Sequence, residues 1–207
     1  MAAPLHRVEV FADVLCPFTH VGLQRFVARR AEEGRTDVQL WVRAWPLEVV
    51  NGSPLDADFI AEEIDEIREQ VAAESFQGFR ADAFPGSSLP ALALTHAAYR
   101  QSSEAGEAVA LELRRLLFEE GVDVGEAAVL DGVADRHGLT VDDDDRAGVL
   151  ADHAEGVERG VVGSPYFITG GGAFFCPALD VGRDAAGHLR ITADPDGFER
   201  FLASCFA

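Results

Sequence analysis

Hydrophobic and polar positions alternate in two stretches near the start of the chain, with a different pattern between them. Residues 7–14 and 38–45 carry an apolar side chain at every second position, which is typical of strands with one buried face. Between the two stretches, Pro17 suits the first turn of a helix and Gly34 suits its end. The start of the chain therefore predicts a strand, a helix and a second strand, which is a βαβ unit.

From about residue 53 the apolar positions recur with the helical period of roughly 3.6 residues. A helix that begins at Ser88 with Pro90 in its first turn adds to this pattern. Four further helical faces are predicted from the following groups: Ile60, Ile64, Ile67 and Val71; Val109, Leu113, Leu116 and Leu117; Val129, Leu130 and Val133; Val149, Leu150, His153 and Val157. The middle of the chain is therefore expected to be helical.

Strand character returns after Gly163. The segments SPYFIT and AFFC, separated by GGG, predict a hairpin. Asp194 and Pro195 then suit the cap and the first position of a final helix. We expect one α/β domain formed by residues 1–50 and 160–207, interrupted by an α-helical insertion over residues 51–159.

The charge of the chain excludes several classes of function. There are 36 acidic residues against 17 basic ones, a net charge of −19, and every basic residue is arginine. Without lysine there is no Schiff-base lysine and no P-loop, and the negative charge disfavours nucleic acids and anionic membranes. No apolar stretch has the length of a membrane helix or a signal peptide, so a cytoplasmic location is expected.

The acidic excess is concentrated in one region. Residues 48–160 hold 26 acidic residues and eight arginines. The simpler interpretation is that these residues form a solvated helical surface, and one form of this interpretation is adaptation to high salt. The alternative is that they form an acidic docking face.

Three dispersed cysteines cannot form a disulfide framework, and their odd number leaves at least one free thiol. Cys16 follows the first strand and precedes Pro17. At a helix start, unpaired amides and the helix dipole favour the thiolate, so we expect a lowered pKa for Cys16. A buried hydrophobic cysteine that happens to begin a helix is the alternative.

A second candidate segment is Gly163–Phe167, with the sequence GSPYF. Proline occurs at strand starts because it cannot donate to the ladder. A cis bond before Pro165, which we expect, exposes backbone groups of Ser164 to an incoming partner.

Together these features resemble a known family. A βαβ unit with a Cys-Pro helix start, a long helical insertion, GSPYF, a hairpin and a final helix resembles the DsbA branch of the thioredoxin-like superfamily. DVLCPFTHVG is similar to the DV-C-P-W-C-Y-I-G segment of FrnE-type members. It also resembles the DVLSPYSWLG-type segment of kappa-class glutathione transferases and 2-hydroxychromene-2-carboxylate isomerases. The resemblance implies a thioredoxin-like α/β fold with a large α-helical insertion.

The chain departs from the dithiol members of this family. Thr19 stands where they carry a resolving cysteine, so Cys16 cannot close a disulfide within the motif. Cys176 and Cys205 lie far along the chain, and they are either inert packed thiols or, for Cys176, a replacement partner for Cys16. Ser87 and Ser88 fall where many relatives start an insertion helix with asparagine and threonine, which argues against glutathione binding in the usual manner of the family.

The resemblance leaves three functions open. The first is a thiol-dependent oxidoreductase that works through Cys16 alone, because a thiolate can attack a disulfide and leave the second step to an external thiol. The second is a transferase or isomerase that uses glutathione or another thiol on a small aromatic electrophile. The third is a non-catalytic thioredoxin-fold binding protein, for which an unreactive, buried Cys16 is expected.

We assign Cys16 as the nucleophile and Thr19 as a hydroxyl donor to its thiolate. His20 lies one helical turn after Cys16, at the rim of the cleft or packed beneath it. Trp45 is either core packing or, with Phe18, the wall of an aromatic pocket. The candidates for substrate contact are Pro17, Phe18, His20, Trp45, Ser164 and Pro165.

The expected partner is a small-molecule thiol or a thiol-containing substrate. No tightly bound cofactor is expected. Binding of a low-molecular-weight thiol such as glutathione is left open. A Cys16–His20 metal site lacks a second ligand pair in the sequence, so no metal is expected. A homodimer is left open.

Overall fold

A computed structural model of the protein describes residues 6–185 and 187–207. Its strands are β1 (His6–Ala12), β2 (Val38–Ala44), β3 (Tyr166–Thr169), β4 (Gly172–Phe175), β5 (Leu179–Arg183) and β6 (Leu189–Ala193). Its helices are α1 (Pro17–Glu32), α2 (Leu47–Asn51), α3 (Ala57–Gln70), α4 (Leu89–Gln101), α5 (Ser103–Glu120), α6 (Ala127–His137), α7 (Asp143–Glu158) and α8 (Pro195–Cys205), with a short 3-10 turn at Ala81–Ala83.

The predicted βαβ unit and hairpin form one four-stranded sheet, in the order β2-β1-β3-β4. Strand β1 pairs in parallel with β2 and antiparallel with β3, and β3 pairs antiparallel with β4. The βαβ prediction and the hairpin prediction are both confirmed. This order places the carboxyl end of β1 beside the start of β3, where the two candidate segments meet.

The sheet is packed on both faces. On one face, α1 and α8 cover alternate residues of the strands, with Phe26, Phe167 and Phe201 fully buried at the centre. On the other face, Phe11 and Trp45 pack with Val161 in a smaller cluster. Consecutive residues of a strand point to opposite faces, which is why Phe11 lies apart from the α1 side of the core.

Helices α3 to α7 lie between β2 and β3 in the sequence and share a second large hydrophobic core. The predicted apolar faces of α3, α5 and α6 supply buried residues to that core. Ser88 is the residue before α4, and the Asp194 carboxylate accepts from the Gly197 amide at the start of α8, as predicted.

The predicted apolar face of α7 is wrong in part. Val149 is buried, but Leu150 and Val157 are 53% and 59% exposed. Instead, Gly156 lies against the sheet, where an added Cβ would come within 2.6 Å of the Trp45 ring. The helix therefore turns its glycine side inward, because the bulky Trp45 leaves no room for a larger side chain.

A second hairpin was not predicted. Strands β5 and β6 pair antiparallel as a separate two-stranded sheet, with Leu179 and Ile191 buried in the core shared with α3. None of the helices within residues 6–185 and 187–207 is long and apolar enough to cross a membrane.

Candidate active site

Cys16 lies at the start of α1, as predicted. It is the N-cap residue, with extended backbone angles (φ −82°, ψ 116°), and Pro17 opens the helix. The carbonyl of Cys16 accepts the amide of His20 at 3.3 Å, which is the first turn of the helix. The thiol is therefore held where β1 ends and α1 begins.

The Ser164–Pro165 segment faces this thiol. The peptide bond between Ser164 and Pro165 is cis, which confirms the expectation. The Cys16 thiol donates to the carbonyl oxygen of Ser164 at 3.2 Å. The structure thus brings together two segments that are almost 150 residues apart in the sequence.

The Ser164 hydroxyl joins three parts of this region. Its oxygen accepts the amide of Asp13 at 2.9 Å and lies 2.8 Å from the Thr19 hydroxyl oxygen. Thr19 is fully buried, so its hydroxyl depends on these internal partners. The cis-proline segment, the start of α1 and the end of β1 are therefore held in one arrangement by short polar contacts.

The expected lowering of the Cys16 pKa is wrong for this arrangement. Burial raises the pKa of the Cys16 thiol above its ordinary value, and the hydroxyl and amide of Thr19 only partly offset that effect. The side chain is 3% exposed. Sequence position identified the helix amides correctly, but it did not show how much solvent the sulfur loses.

The family follows from a comparison of the whole chain with family models. The model of the DSBA-like thioredoxin domain matches residues 7–184. The chain belongs to the DSBA-like thioredoxin domain family. A comparison with curated protein sequences finds no significant match.

Solved structures show the same fold at low sequence identity. The cytosolic disulfide reductase DsbM from Pseudomonas aeruginosa has 16% identity and a TM-score of 0.64, over 95% of this chain and 97% of that one. DsbM with GSH has 17% identity and a TM-score of 0.64, with the same coverage of each chain. A 2-hydroxychromene-2-carboxylate isomerase has 13% identity and a TM-score of 0.59, over 82% of this chain and 88% of that one. The predicted thioredoxin-like α/β fold with helices inserted is confirmed.

In this DSBA-like domain, Pro17 and Phe18 follow Cys16 and are the first two residues of α1. Pro17 is buried, whereas Phe18 is half-buried and packs against the core shared by the inserted helices. Phe18 is therefore the more accessible of the two predicted substrate contacts.

His20 is packed beneath the site. His20 is 3% exposed, and its ring lies between Phe76 and Phe118. Its Nε2 lies 2.6 Å from Oε1 of Glu119. Burial would raise the pKa of Glu119, but hydrogen bonds from His20 and the Phe76 amide hold it at about 2. The pair therefore anchors α1 to α5. Of the two positions predicted for His20, the structure shows the packed one, so His20 is not exposed for the predicted substrate contact.

Trp45 lies away from Phe18. Its ring packs edge-on against Phe11 and next to His153 of α7, on the face of the sheet opposite α1. Since Phe18 packs against the core shared by the inserted helices, the prediction that Phe18 and Trp45 form one aromatic pocket is wrong. The ring nitrogen of Trp45 is buried and has no hydrogen-bond partner among the described residues.

Asp13 was not assigned a role from the sequence, yet it organises the site. The fully buried carboxylate accepts from the amides of Leu15 at 2.8 Å and Leu47 at 2.6 Å, and from the Ser88 hydroxyl at 3.1 Å. Its backbone carbonyl accepts Nη2 of the buried Arg114 at 3.2 Å. A carboxylate directly after a buried strand is the signal that could have identified it.

Glu63 of α3 is the second residue that the sequence analysis missed. Burial raises the pKa of Glu63 to about 7, and the negative charge of Glu63 raises the pKa of Cys16. Its spacing from Ile60 and Ile67 puts a carboxyl on the apolar side of the helix, which is the signal that could have identified it.

The start of α4 is capped by the side chain of Glu48. Oε1 of Glu48 accepts the amides of Ser88 at 2.8 Å and Leu89 at 3.3 Å and the Ser87 hydroxyl at 2.8 Å. Glu48 therefore satisfies these two amides at the start of α4.

Within the described part of the chain, no group of three or more histidine, cysteine, aspartate or glutamate side chains is arranged to hold a metal ion. All three cysteines are free and buried, and burial raises the pKa of Cys176 and Cys205 to about 12.

Proposed function

We propose that the chain is a thiol-disulfide oxidoreductase in which Cys16 attacks a small disulfide. The observation that carries this proposal is the contact between the Cys16 thiol and the Ser164 carbonyl, at a helix start and next to a cis-proline. The backbone groups that hold the resting thiol are the groups a disulfide substrate would meet. Thr19 and Ser164 supply hydroxyls beside the sulfur.

The proposed step exchanges one disulfide for another. The Cys16 thiol loses its proton, and its sulfur attacks one sulfur of the substrate disulfide. The substrate bond breaks, one half leaves as a thiolate that takes up a proton, and the other half stays on Cys16 as a mixed disulfide. A glutathione thiolate then attacks the substrate sulfur of this mixed disulfide, so Cys16 is released as a thiolate that takes up a proton and the second half leaves as a mixed disulfide with glutathione. A second glutathione reduces that product and forms glutathione disulfide, so the two electrons for the cycle come from two molecules of thiol.

The buried resting position of Cys16 sets a requirement for this chemistry. A thiol with a raised pKa is mostly protonated near neutral pH, and the thiolate is the nucleophile. The substrate must therefore gain access to the sulfur before the attack. We propose a cytoplasmic location, where a pool of reduced thiols would keep all three cysteines free.

The test is a turnover assay with bis(2-hydroxyethyl) disulfide as substrate and glutathione as reductant. Cys16→Ser is compared with Cys205→Ser, which removes another buried thiol far along the chain in α8. We expect Cys16→Ser to fall to the background rate and Cys205→Ser to keep the wild-type rate. Equal rates for both variants would contradict the assignment of Cys16.

A non-catalytic binding protein is the second candidate, and the 3% exposure of Cys16 favours it. If the protein is a non-catalytic binding protein, we expect the wild type to give no rate above background in the same assay. The thiol-dependent transferase or isomerase predicts a different result, namely that Cys16→Ser keeps turnover of an aromatic electrophile when glutathione is present.

A further inference from the structure

Cys176 lies at the same cis-proline segment as Cys16. The Cys16 thiol donates to the carbonyl of Ser164, and the Cys176 amide donates to the carbonyl of Pro165 at 3.0 Å. Two cysteines that lie far apart in the sequence therefore contact the carbonyl groups of consecutive residues. Cys205, by contrast, packs among the residues of the α1 and α8 core.

Both cysteines lie on the α1 side of the sheet. Cys176 follows the last residue of β4, its amide bonds the Pro165 carbonyl, and it belongs to one buried cluster with Val21 of α1. The Pro165 ring faces Gly22 of α1, with 3.7 Å between its Cγ and the position of an added Cβ. Cys176 also belongs to the buried cluster that contains Leu15, next to Cys16.

One positive charge, that of Arg25, acts on the Cys176 thiol, which is protonated in the resting protein. Arg25 of α1 donates to the carbonyls of Ala178 at 3.0 Å and Val71 at 3.0 Å, so its guanidinium is fixed beside the Cys176 segment. Its positive charge lowers the pKa of Cys176, but burial and the charge of the nearby Cys16 have the larger effects and raise that pKa. Cys176 has φ 43°, a left-handed conformation that is uncommon for residues other than glycine.

We propose that Cys176 is the resolving thiol for the mixed disulfide formed on Cys16. This inference rests on the proposed function. The Cys176 sulfur, once deprotonated, attacks Sγ of Cys16, and the bond from Cys16 to the bound half of the substrate breaks. That half leaves as a thiolate and takes up a proton, and a Cys16–Cys176 disulfide remains. Two molecules of glutathione then reduce it and form one molecule of glutathione disulfide, which balances the electrons.

The resolving cysteine thus comes from the end of β4, because Thr19 occupies the position that would supply it within the helix motif. Formation of this disulfide removes the hydrogen that the Cys16 thiol donates to the Ser164 carbonyl, and it requires Cβ atoms about 3.5–4.5 Å apart.

The experiment follows the thiols by mass. Reduced wild-type protein, Cys176→Ser and Cys205→Ser are each treated with glutathione disulfide, quenched in acid at set times, and analysed intact and after digestion. We expect the glutathione adduct on Cys16 to accumulate in Cys176→Ser. In the wild type and in Cys205→Ser it is expected to convert to a product that lacks glutathione and links the Cys16 and Cys176 peptides.

The outcomes separate the two proposals. An adduct on Cys16 that persists equally in the wild type and Cys176→Ser would overturn the resolving role and leave the proposed function standing. Absence of both the adduct and the linked product at Cys16 in every variant would contradict the proposed function itself. If near-UV circular dichroism shows that Cys176→Ser does not fold, the linked peptide in the wild type decides: its presence supports the role and its absence overturns it.

Discussion

The sulfur of Cys16 is subject to opposing effects from its neighbours. Burial and the negative charge of Glu63 raise its pKa, whereas the hydroxyl and amide of Thr19 and the side chain of Ser164 lower it. The balance favours the protonated thiol in the resting protein. The side-chain contributions of Thr19, Ser164 and Glu63 can each be removed by substitution.

Thr19→Val tests the hydroxyl. Valine has nearly the shape of threonine but cannot hydrogen-bond the sulfur or Ser164, so we expect the Cys16 pKa to rise further. The lost hydrogen bonds should also lower the free energy of unfolding by about 1 kcal/mol. The pKa is measured from the pH dependence of iodoacetamide alkylation at Cys16. Thr19→Ser, which keeps the hydroxyl, should retain the wild-type pKa, and one pKa shared by all three proteins would refute the role.

Glu63→Gln tests the carboxylate. Removing this negative charge should lower the Cys16 pKa and speed alkylation at pH values above about 7, where Glu63 is ionised. Glu62→Gln, an exposed neighbour on the same helix, is the control and should leave the rate unchanged. A matching acceleration in both variants would show that the effect is not specific to Glu63.

The raised pKa of Glu63 also affects stability. The folded protein holds the proton of Glu63 up to about pH 7, whereas the unfolded chain releases it near the ordinary glutamate pKa of 4.5. The contribution of Glu63 to stability is therefore fully present below pH 4.5 and is lost as the pH rises to about 7. Urea unfolding from pH 4.5 to 7 should show that Glu63→Gln removes this decrease. An unchanged pH dependence in the variant would contradict the raised pKa.

At the scale of elements, α3 and the β5–β6 hairpin form what we call the cover of the Cys16 site. The two elements share one buried core with Leu15, and the Gln70 side chain at the end of α3 accepts the Ile191 amide of β6 at 2.9 Å. Glu63 and Arg183 place opposite charges on the two parts of the cover. We therefore expect opening of this contact to give solvent and substrate access to Cys16.

Gln70→Ala should loosen the cover. Losing a hydrogen bond of about 1 kcal/mol raises the population of an open form about fivefold. Alkylation of Cys16 at fixed pH should accelerate by a similar factor. Gln77→Ala removes an exposed side chain that contacts only the nearby Ala73 carbonyl, and it should have no effect. No acceleration in Gln70→Ala would show that access to the sulfur follows another path.

The elements differ in how far the sequence could predict them. The β1–α1–β2 unit follows from period and helix signals that lie within a few residues of one another. The β5–β6 hairpin could not be predicted, because Leu179 and Ile191 are its buried apolar anchors and most of its other residues are exposed. The rotation of α7 depends on Trp45, a residue more than 100 positions away.

The candidate site shows the same division. The proximity of Cys16, Thr19 and Pro165 could be predicted from the sequence, because the predicted topology puts a strand end, a helix start and a strand that begins with proline side by side. It could not predict the solvation of Cys16, since that depends on the cover and on long-range contacts. The packed position of Trp45 likewise depends on Phe11 of β1 and His153 of α7, which lie far from it in the sequence.

At the scale of the whole molecule, the net charge of −19 opposes the compact state. Exposed acidic side chains crowd the inserted helices, as at the start of α7, where Asp143 and Asp144 follow Asp142. The many surface ion pairs with arginine compensate only part of this charge, because acidic residues outnumber basic ones.

Added salt should therefore stabilise the protein. At about 1 M salt the Debye length is roughly 3 Å, so repulsion between carboxylates is screened. We expect the melting temperature to rise steadily with potassium chloride in calorimetric scans. A melting temperature that falls with salt would mean that ion pairs outweigh repulsion and would reject salt adaptation of the acidic surface.

The most direct test of the account is the order in which the three cysteines react. Reduced wild-type protein is mixed with glutathione disulfide, quenched at short times and mapped by mass spectrometry after digestion. The account predicts that glutathione appears first on Cys16, before any adduct on Cys176 or Cys205. A first adduct on either of the other cysteines, or none on Cys16 while the protein stays folded, would contradict the claim that Cys16 is the attacking thiol.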